Sequence, residues 1–110
     1  MATSYKILGQ VEPANTSNAD LYTVPSATET IVSTIVVSNS SAADASFRIF
    51  IREDGASAGT ENSIAYDTVI GGNTQAAFTL GLTLSATDVV TVRSSSGGSI
   101  TFSAFGSELT

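Results

Sequence analysis

The sequence contains no cysteine and no histidine, and acidic and basic residues make up only 13% of its 110 residues. An ordinary soluble domain carries about a quarter charged residues, so this chain must keep its surface hydrated largely through serine and threonine hydroxyls. Without cysteine there are no disulfides and no thiolate metal sites, so the hydrophobic core or self-association must stabilise the fold. The sparsely charged surface suits contact with other proteins.

The missing histidine and cysteine also exclude Ser-His-Asp and Cys-His catalysis. In a Ser-x-x-Lys motif the lysine can activate the serine hydroxyl, but the only lysine, Lys6, does not follow a serine by three residues, so this motif is missing as well. Glu53 and Asp54 precede a glycine, which is typical of an acidic turn rather than of two carboxylates facing each other across a cleft. Residues 53–62 have the oxygen donors of a calcium loop but lack its alternating acids. We expect no enzymatic activity, no catalytic residue, no cofactor and no metal.

The formal net charge is −6. The basic residues are Lys6, Arg48, Arg52 and Arg93, and they form no run. Nucleic acid and anionic membranes are therefore not expected as partners, because both require clustered cations. The first residues show no secretory signal, and the longest apolar stretches, such as residues 35–37, are too short to span a bilayer. We expect synthesis in the host cytoplasm.

No segment has the periodicity of an amphipathic helix. Short runs of β-branched and aromatic residues alternate instead with Ser, Gly, Asn and Asp clusters, which predicts strands separated by turns. The eight predicted strands are residues 4–11, 21–24, 30–39, 46–53, 64–69, 75–82, 89–94 and 100–107. Eight short strands at regular spacing predict an all-β fold, a single β-sandwich domain of jelly-roll type over residues 1–110 with about eight antiparallel strands.

Alternation along each strand predicts which side chains are buried. The predicted core consists of Ile35, Val37, Phe47, Ile49, Ile51, Tyr66, Phe78, Leu80, Val90, Val92, Ile100 and Phe102. The predicted outward side chains are Arg48, Phe50 and Arg52 in one strand, Val32, Thr34 and Val36 in another, and Thr101, Ser103 and Phe105 in the last. Outward apolar residues on a sparsely charged surface favour an assembly interface. The alternative is that a long loop of the same chain covers Phe50.

Several short motifs along the whole chain resemble those of small structural proteins of tailed-phage virions. They are Tyr5-Lys6-Ile7-Leu8-Gly9-Gln10, Leu21-Tyr22-Thr23-Val24-Pro25, Ala65-Tyr66-Asp67, the stretch Gly81-Leu82-Thr83-Leu84-Ser85-Ala86-Thr87-Asp88 and the closing Phe105-Gly106-Ser107-Glu108. The group includes capsid decoration, or cement, proteins and small tail-associated proteins with β-sandwich folds. The resemblance implies a structural role in the virion and transfers no catalytic residue.

Both lines of reasoning lead to one hypothesis, a bacteriophage capsid decoration protein on the capsid surface of the virion. Such a protein would bind the major capsid protein from outside, stabilise the shell and form a homo-oligomer, with a trimer favoured. The predicted interface residues are Tyr5, Arg48, Phe50, Arg52 and Phe105.

Two other functions stay open at this stage. A tail-fibre or baseplate module that binds host surface glycans would have an exposed cleft with tyrosine and carboxylates. A small hydrolase would need Asp54, Asp67 or Asp88 to converge on a pocket.

Overall fold

The structure, a computed structural model, describes residues 2–110. Its strands, numbered β1 to β8 in chain order, are Thr3–Val11, Ala19–Thr23, Glu29–Asn39, Ala45–Arg52, Ser63–Ile70, Gln75–Leu84, Val89–Ser94 and Ile100–Leu109. Two single-turn 3-10 helices, Glu53–Gly55 and Thr60–Asn62, lie in the connection between β4 and β5. All eight predicted strands are present, with every predicted end within two residues of the observed one. Alternating apolar residues and strong turn formers therefore suffice to define the strands.

The strands form two four-stranded antiparallel sheets. The first sheet has the order β1-β8-β3-β6 and the second has the order β2-β7-β4-β5. Strand β1 pairs with β8, β2 with β7, β3 with β6, and β4 with β5, so the chain forms one long antiparallel ribbon rolled into two layers. This is the jelly-roll arrangement, and the predicted fold class is confirmed.

The core lies between the two sheets and centres on three aromatic rings. Phe47 from the second sheet contacts Phe78 and Phe102 from the first, edge to face, at centroid distances of 5.8 and 6.1 Å. Most of the predicted core is confirmed: the fully buried members are Ile35, Val37, Phe47, Ile49, Val90, Val92, Ile100 and Phe102, while Ile51 and Phe78 are partly buried. Aromatic pairs of this geometry add to the stabilisation from buried apolar area.

Two predicted core residues, Tyr66 and Leu80, are instead 44% and 45% exposed. A β-bulge explains each error, because it places two residues of one strand opposite one residue of its partner and breaks the alternation. Tyr66 and Asp67 together oppose Arg48, and Asp67 has a φ of 53°. In β6 the bulge falls between residues 79 and 82, where Gly81 has a φ of +63°.

Two predicted outward residues are buried. Val32 is 1% exposed because a bulge at Ser33 reverses the side of β3 on which the preceding residues lie. Phe50 is 3% exposed, with the ring of Tyr66 edge-on at 6.3 Å and the turn Thr60–Asn62 packed against β4. The alternative in which the same chain covers Phe50 is therefore confirmed.

A polar cluster closes one end of the sandwich and joins both sheets. The Glu108 carboxylate in β8 accepts one hydrogen bond from Tyr22 Oη in β2 and contacts Lys6 Nζ in β1 at 2.6 Å. Tyr22 Oη also lies 2.8 Å from Thr30 Oγ1 in β3. Hydrogen bonds from Lys6 and then Tyr22 lower the pKa of Glu108, whereas burial and then Glu108 raise the pKa of Tyr22 to about 12. These side chains act as one unit, with every buried polar atom satisfied.

This cluster should make stability depend on acid pH. Because the pKa of Glu108 is lowered on folding from its ordinary 4.5, its contribution is complete above that value and is lost as pH falls through the lower folded pKa. Replacing Glu108 with Gln should cost about 1–3 kcal/mol at neutral pH and flatten the loss of stability in acid. Urea unfolding at a series of pH values measures both effects.

The control for this prediction is Glu29→Gln, since Glu29 is exposed and makes no ion pair within residues 2–110. Its pH profile should match that of the unmodified protein. A Glu108→Gln profile as steep in acid as the unmodified one would contradict the assignment.

Candidate interaction surfaces

The outer side of the first sheet carries a group of exposed apolar side chains. Tyr5 is 85%, Ile7 56% and Ile31 41% exposed. Cross-strand pairing brings them together. Tyr5 in β1 and Ile31 in β3 both pair with Ser107 in β8, from its two sides. Ile7 pairs with Phe105, which is partly exposed. We call this surface, defined by Tyr5, Ile7, Ile31 and Phe105, the apolar face.

A shallow groove runs across the apolar face. It is lined by Tyr5, Lys6, Ile31, Ser33, Phe105, Gly106 and Ser107. The small residues of β8 form its floor between the larger side chains of β1 and β3. The floor is low at Gly106 because glycine has no side chain.

The first sheet is almost free of charge. Its four strands contain only Lys6, Glu29 and Glu108, and β6 has no charged residue. Lys6 and Glu108 neutralise each other at 2.6 Å. In a chain of formal charge −6, this sheet is the surface that another protein could cover at the lowest desolvation cost.

The outer side of the second sheet differs in charge, since it carries all three arginines, and its strand β5 also has exposed apolar residues, Ile64, Tyr66 and Val69. Arg48 Nε lies 2.7 Å from Asp67 Oδ1, and its guanidinium lies 4.0 Å above the Tyr66 ring. Arg52 is held by Asp20 at 3.3 Å and by the backbone carbonyls of residues 55 and 56. The hydrogen bond between Arg48 and Asp67 raises the pKa of the arginine and lowers that of the carboxyl group.

Arg48 and Arg93 stand directly opposite each other on β4 and β7 and line a shallow pocket. We call this pocket the arginine pocket; its other lining residues are Thr16, Ser46, Phe47, Asp67, Ser94 and Ser95. Sequence reasoning did not single out Arg93. Because Arg93 follows the inward Val92, alternation marks it as an outward residue, but only the pairing of β4 with β7 places it next to Arg48.

The five predicted interface residues do not form one surface. Tyr5 and Phe105 belong to the apolar face, whereas Arg48 and Arg52 lie on the opposite sheet and are engaged in ion pairs. Phe50 is buried within the chain and exposes too little area to contribute to an interface. Contact with a partner stays a prediction for the other four.

The acids considered for hydrolysis serve other purposes. Asp88 accepts backbone hydrogen bonds from Asp54 at 2.8 Å and Ser85 at 2.9 Å, which ties two loops together. Asp67 is paired with Arg48 on a different surface. Within residues 2–110, no three acidic side chains group in a way that could hold a metal ion. This geometry caps turns and does not place two carboxylates across a cleft.

On the second sheet, Arg48 occupies one face of the Tyr66 ring, and the Phe50 ring lies edge to face with it at 6.3 Å. A sugar ring could therefore not stack on the face that Arg48 covers. The described part of the chain contains no helix long and apolar enough to cross a membrane.

Comparison with known proteins yields similarity of fold. No protein-family model matches the sequence, and no curated protein sequence matches it. A chain in the structure of infectious bursal disease virus, Gx strain, is similar over 97% of this chain, with a TM-score of 0.52 and 14% identity. A chain from the Gt strain is similar over 96%, with a TM-score of 0.48 and 14% identity. This chain spans 31% of the length of each, about one third.

Proposed function

We propose that this chain is a structural component of a virus particle, a capsid decoration protein that binds the outside of the major capsid protein lattice and stabilises the shell. The observation that carries the proposal is the apolar face, a nearly uncharged sheet surface with exposed Tyr5, Ile7 and Ile31 on a chain of net charge −6. Contiguous exposed apolar groups on a small protein mark surfaces that other proteins cover.

The fold supports this proposal without deciding it. Jelly rolls are common in viral capsid proteins, and the neighbour at a TM-score of 0.52 comes from a virus structure. The same architecture also serves lectins and cupins, so function must be argued from surfaces and not from topology. The apolar face fits packing against protein, whereas the residues considered for chemistry are engaged in turns and ion pairs.

In this mechanism one oligomer binds the capsid lattice through several modest interfaces, whose binding contributions add up. A trimer closed by a heterologous contact would present three apolar faces to the shell. Each face alone would bind weakly, but the second and third contacts of one trimer form at high effective concentration. In this arrangement Tyr5 and Phe105 lie against the major capsid protein, and the protein contributes rigidity and contact area rather than catalysis.

The test combines microscopy with binding. Electron microscopy of the virion that carries this protein should show it on the outer capsid surface, with the first sheet facing the shell. The double substitution Tyr5→Asp and Ile31→Asp should weaken the affinity of the purified protein for shells that lack it by roughly 100-fold, because two charges would be desolvated on binding. Co-sedimentation with such shells measures the affinity. Light scattering should give the mass of three chains.

The matched control is Val69→Asp, which changes a 71% exposed valine on the second sheet. It should bind shells as the unmodified protein does. Density found only at the tail would reject decoration, and equal binding by the double variant and the control would reject the apolar face as the contact surface.

A further inference from the structure

We propose that the arginine pocket is a binding site for a single carboxylate, supplied by an aspartate or glutamate side chain of a partner protein. The identity of this occupant rests on the proposed assembly function. The site itself rests on the geometry of Arg48, Arg93, Asp67 and the hydroxyl groups between them.

Arg93 has unused hydrogen-bonding capacity at this pocket. Its Nε donates to the carbonyl oxygen of Thr16 at 2.7 Å, which fixes the guanidinium in place. Within residues 2–110, its two terminal nitrogens make no hydrogen bond and no ion pair. A guanidinium held by one edge, with the other nitrogens free, is prearranged for a planar two-oxygen ligand.

The pocket also offers donor groups that have no acceptor within residues 2–110. Arg48 uses Nε and Nη2 on Asp67, which leaves Nη1 without a partner inside the described chain. The Ser46 and Thr16 hydroxyls line the same pocket and form no side-chain hydrogen bond among the described residues. Groups that can donate and lack acceptors point to an anionic ligand.

The charge of the pocket indicates the charge of its ligand. Two guanidinium groups and one carboxylate line the pocket, which gives it a net charge of +1. A monoanion neutralises this charge, whereas a phosphate dianion would leave a net negative charge beside the Asp67 carboxylate. A carboxylate is the planar monoanion that fits bidentate arginine recognition.

The shape of the pocket favours a carboxylate that belongs to a protein side chain. The pocket is shallow and open on the outer side of a sheet, opposite the apolar face, so a small free acid would keep most of its surface in water. An acidic side chain fixed on a protein surface loses less freedom on binding and brings neighbouring contacts with it. The site would therefore add a charge-specific contact to an assembly whose other surface is apolar.

The test is a titration of the isolated protein with sodium acetate at constant ionic strength, followed by ¹⁵N–¹H spectra. Saturable shifts are expected at the Arg93 side-chain Nε and at the backbone amides of Ser46 and Ser95. Arg93→Gln should weaken acetate binding by about tenfold, the effect of one charge-assisted hydrogen bond. Arg52→Gln, which removes an arginine already engaged by Asp20 and Thr91, should leave the acetate affinity unchanged.

Further probes separate the ligand classes. N-acetylglutamate amide should bind at least as tightly as acetate, and inorganic phosphate should bind more weakly. Tighter binding of phosphate, tenfold tighter binding of glucuronate than of the glutamate probe, or no saturable shift would overturn the proposal. Shell binding is measured separately through the Tyr5 and Ile31 variants, so failure of the carboxylate site and failure of the decoration role give different results.

Discussion

Replacing Phe47 with alanine should lower the free energy of unfolding by about 3–5 kcal/mol. Phe47 is 1% exposed and is the ring through which the second sheet contacts Phe78 and Phe102 of the first. Its removal leaves a cavity between two hydrogen-bonded sheets, which cannot collapse around it without breaking strand pairs. Guanidinium unfolding followed by circular dichroism measures the change.

The matched control for this prediction is Phe105→Ala, which removes the same ring from the partly exposed outer side of the first sheet. It should cost clearly less than Phe47→Ala, because part of the Phe105 ring stays in water in the folded state and its removal leaves no enclosed cavity. If Phe47→Ala does not fold, Phe47→Leu keeps most of the volume and should lose about 1–1.5 kcal/mol. Equal losses for the Phe47 and Phe105 alanine variants would contradict the packing described here.

The second large effect is expected at Gly106. A β-carbon on this residue would lie 2.0 Å from the carbonyl oxygen of Ile31 and 3.1 Å from the α-carbon of Val32, both backbone atoms of the neighbouring strand. Backbone cannot move aside as a side chain can, so Gly106→Ala should force β3 and β8 apart and cost about 3 kcal/mol. Chemical unfolding gives the value, and loss of hydrogen-exchange protection in β3 and β8 locates it.

Gly71→Ala is the control for Gly106→Ala. The nearest atom to a β-carbon at Gly71 is Thr74 Oγ1 at 3.4 Å, an ordinary contact with a side chain. The free energy of unfolding of the Gly71→Ala variant should stay within about 0.5 kcal/mol of that of the unmodified protein. If Gly106→Ala were equally harmless, β3 and β8 could not approach each other as closely as the structure shows.

The strands were predictable because they depend on the local sequence pattern. The predicted side-chain directions were wrong where they depend on a neighbouring strand. The bulges at Ser33, at Tyr66 with Asp67, and before Leu82 exist only relative to a partner strand. Gly81 was a local sign of one of them, since it supplies the positive φ angle that such a bulge uses. Nothing comparable marks the bulge at Ser33.

The order of the strands could not be derived from the sequence, and the surfaces depend on that order. Pairing of β1 with β8 joins the two ends of the chain and creates the apolar face from Tyr5 and Phe105. Pairing of β4 with β7 brings Arg93 beside Arg48. Sequence reasoning identified Tyr5, Phe105 and Arg48 as interface residues, but it could not show that they belong to opposite sides of the molecule.

The rolled ribbon also determines how the protein would carry mechanical load. Ala2 and Thr110 exchange backbone hydrogen bonds of 2.8 and 2.9 Å, so residues 2 and 110 lie together at one end of the β1–β8 ladder. Tension applied between residues 2 and 110 would break the hydrogen bonds of that ladder one at a time, so the fold would resist such pulling only weakly. Force applied through the two broad sides would instead compress the packed aromatic centre, where many contacts resist together.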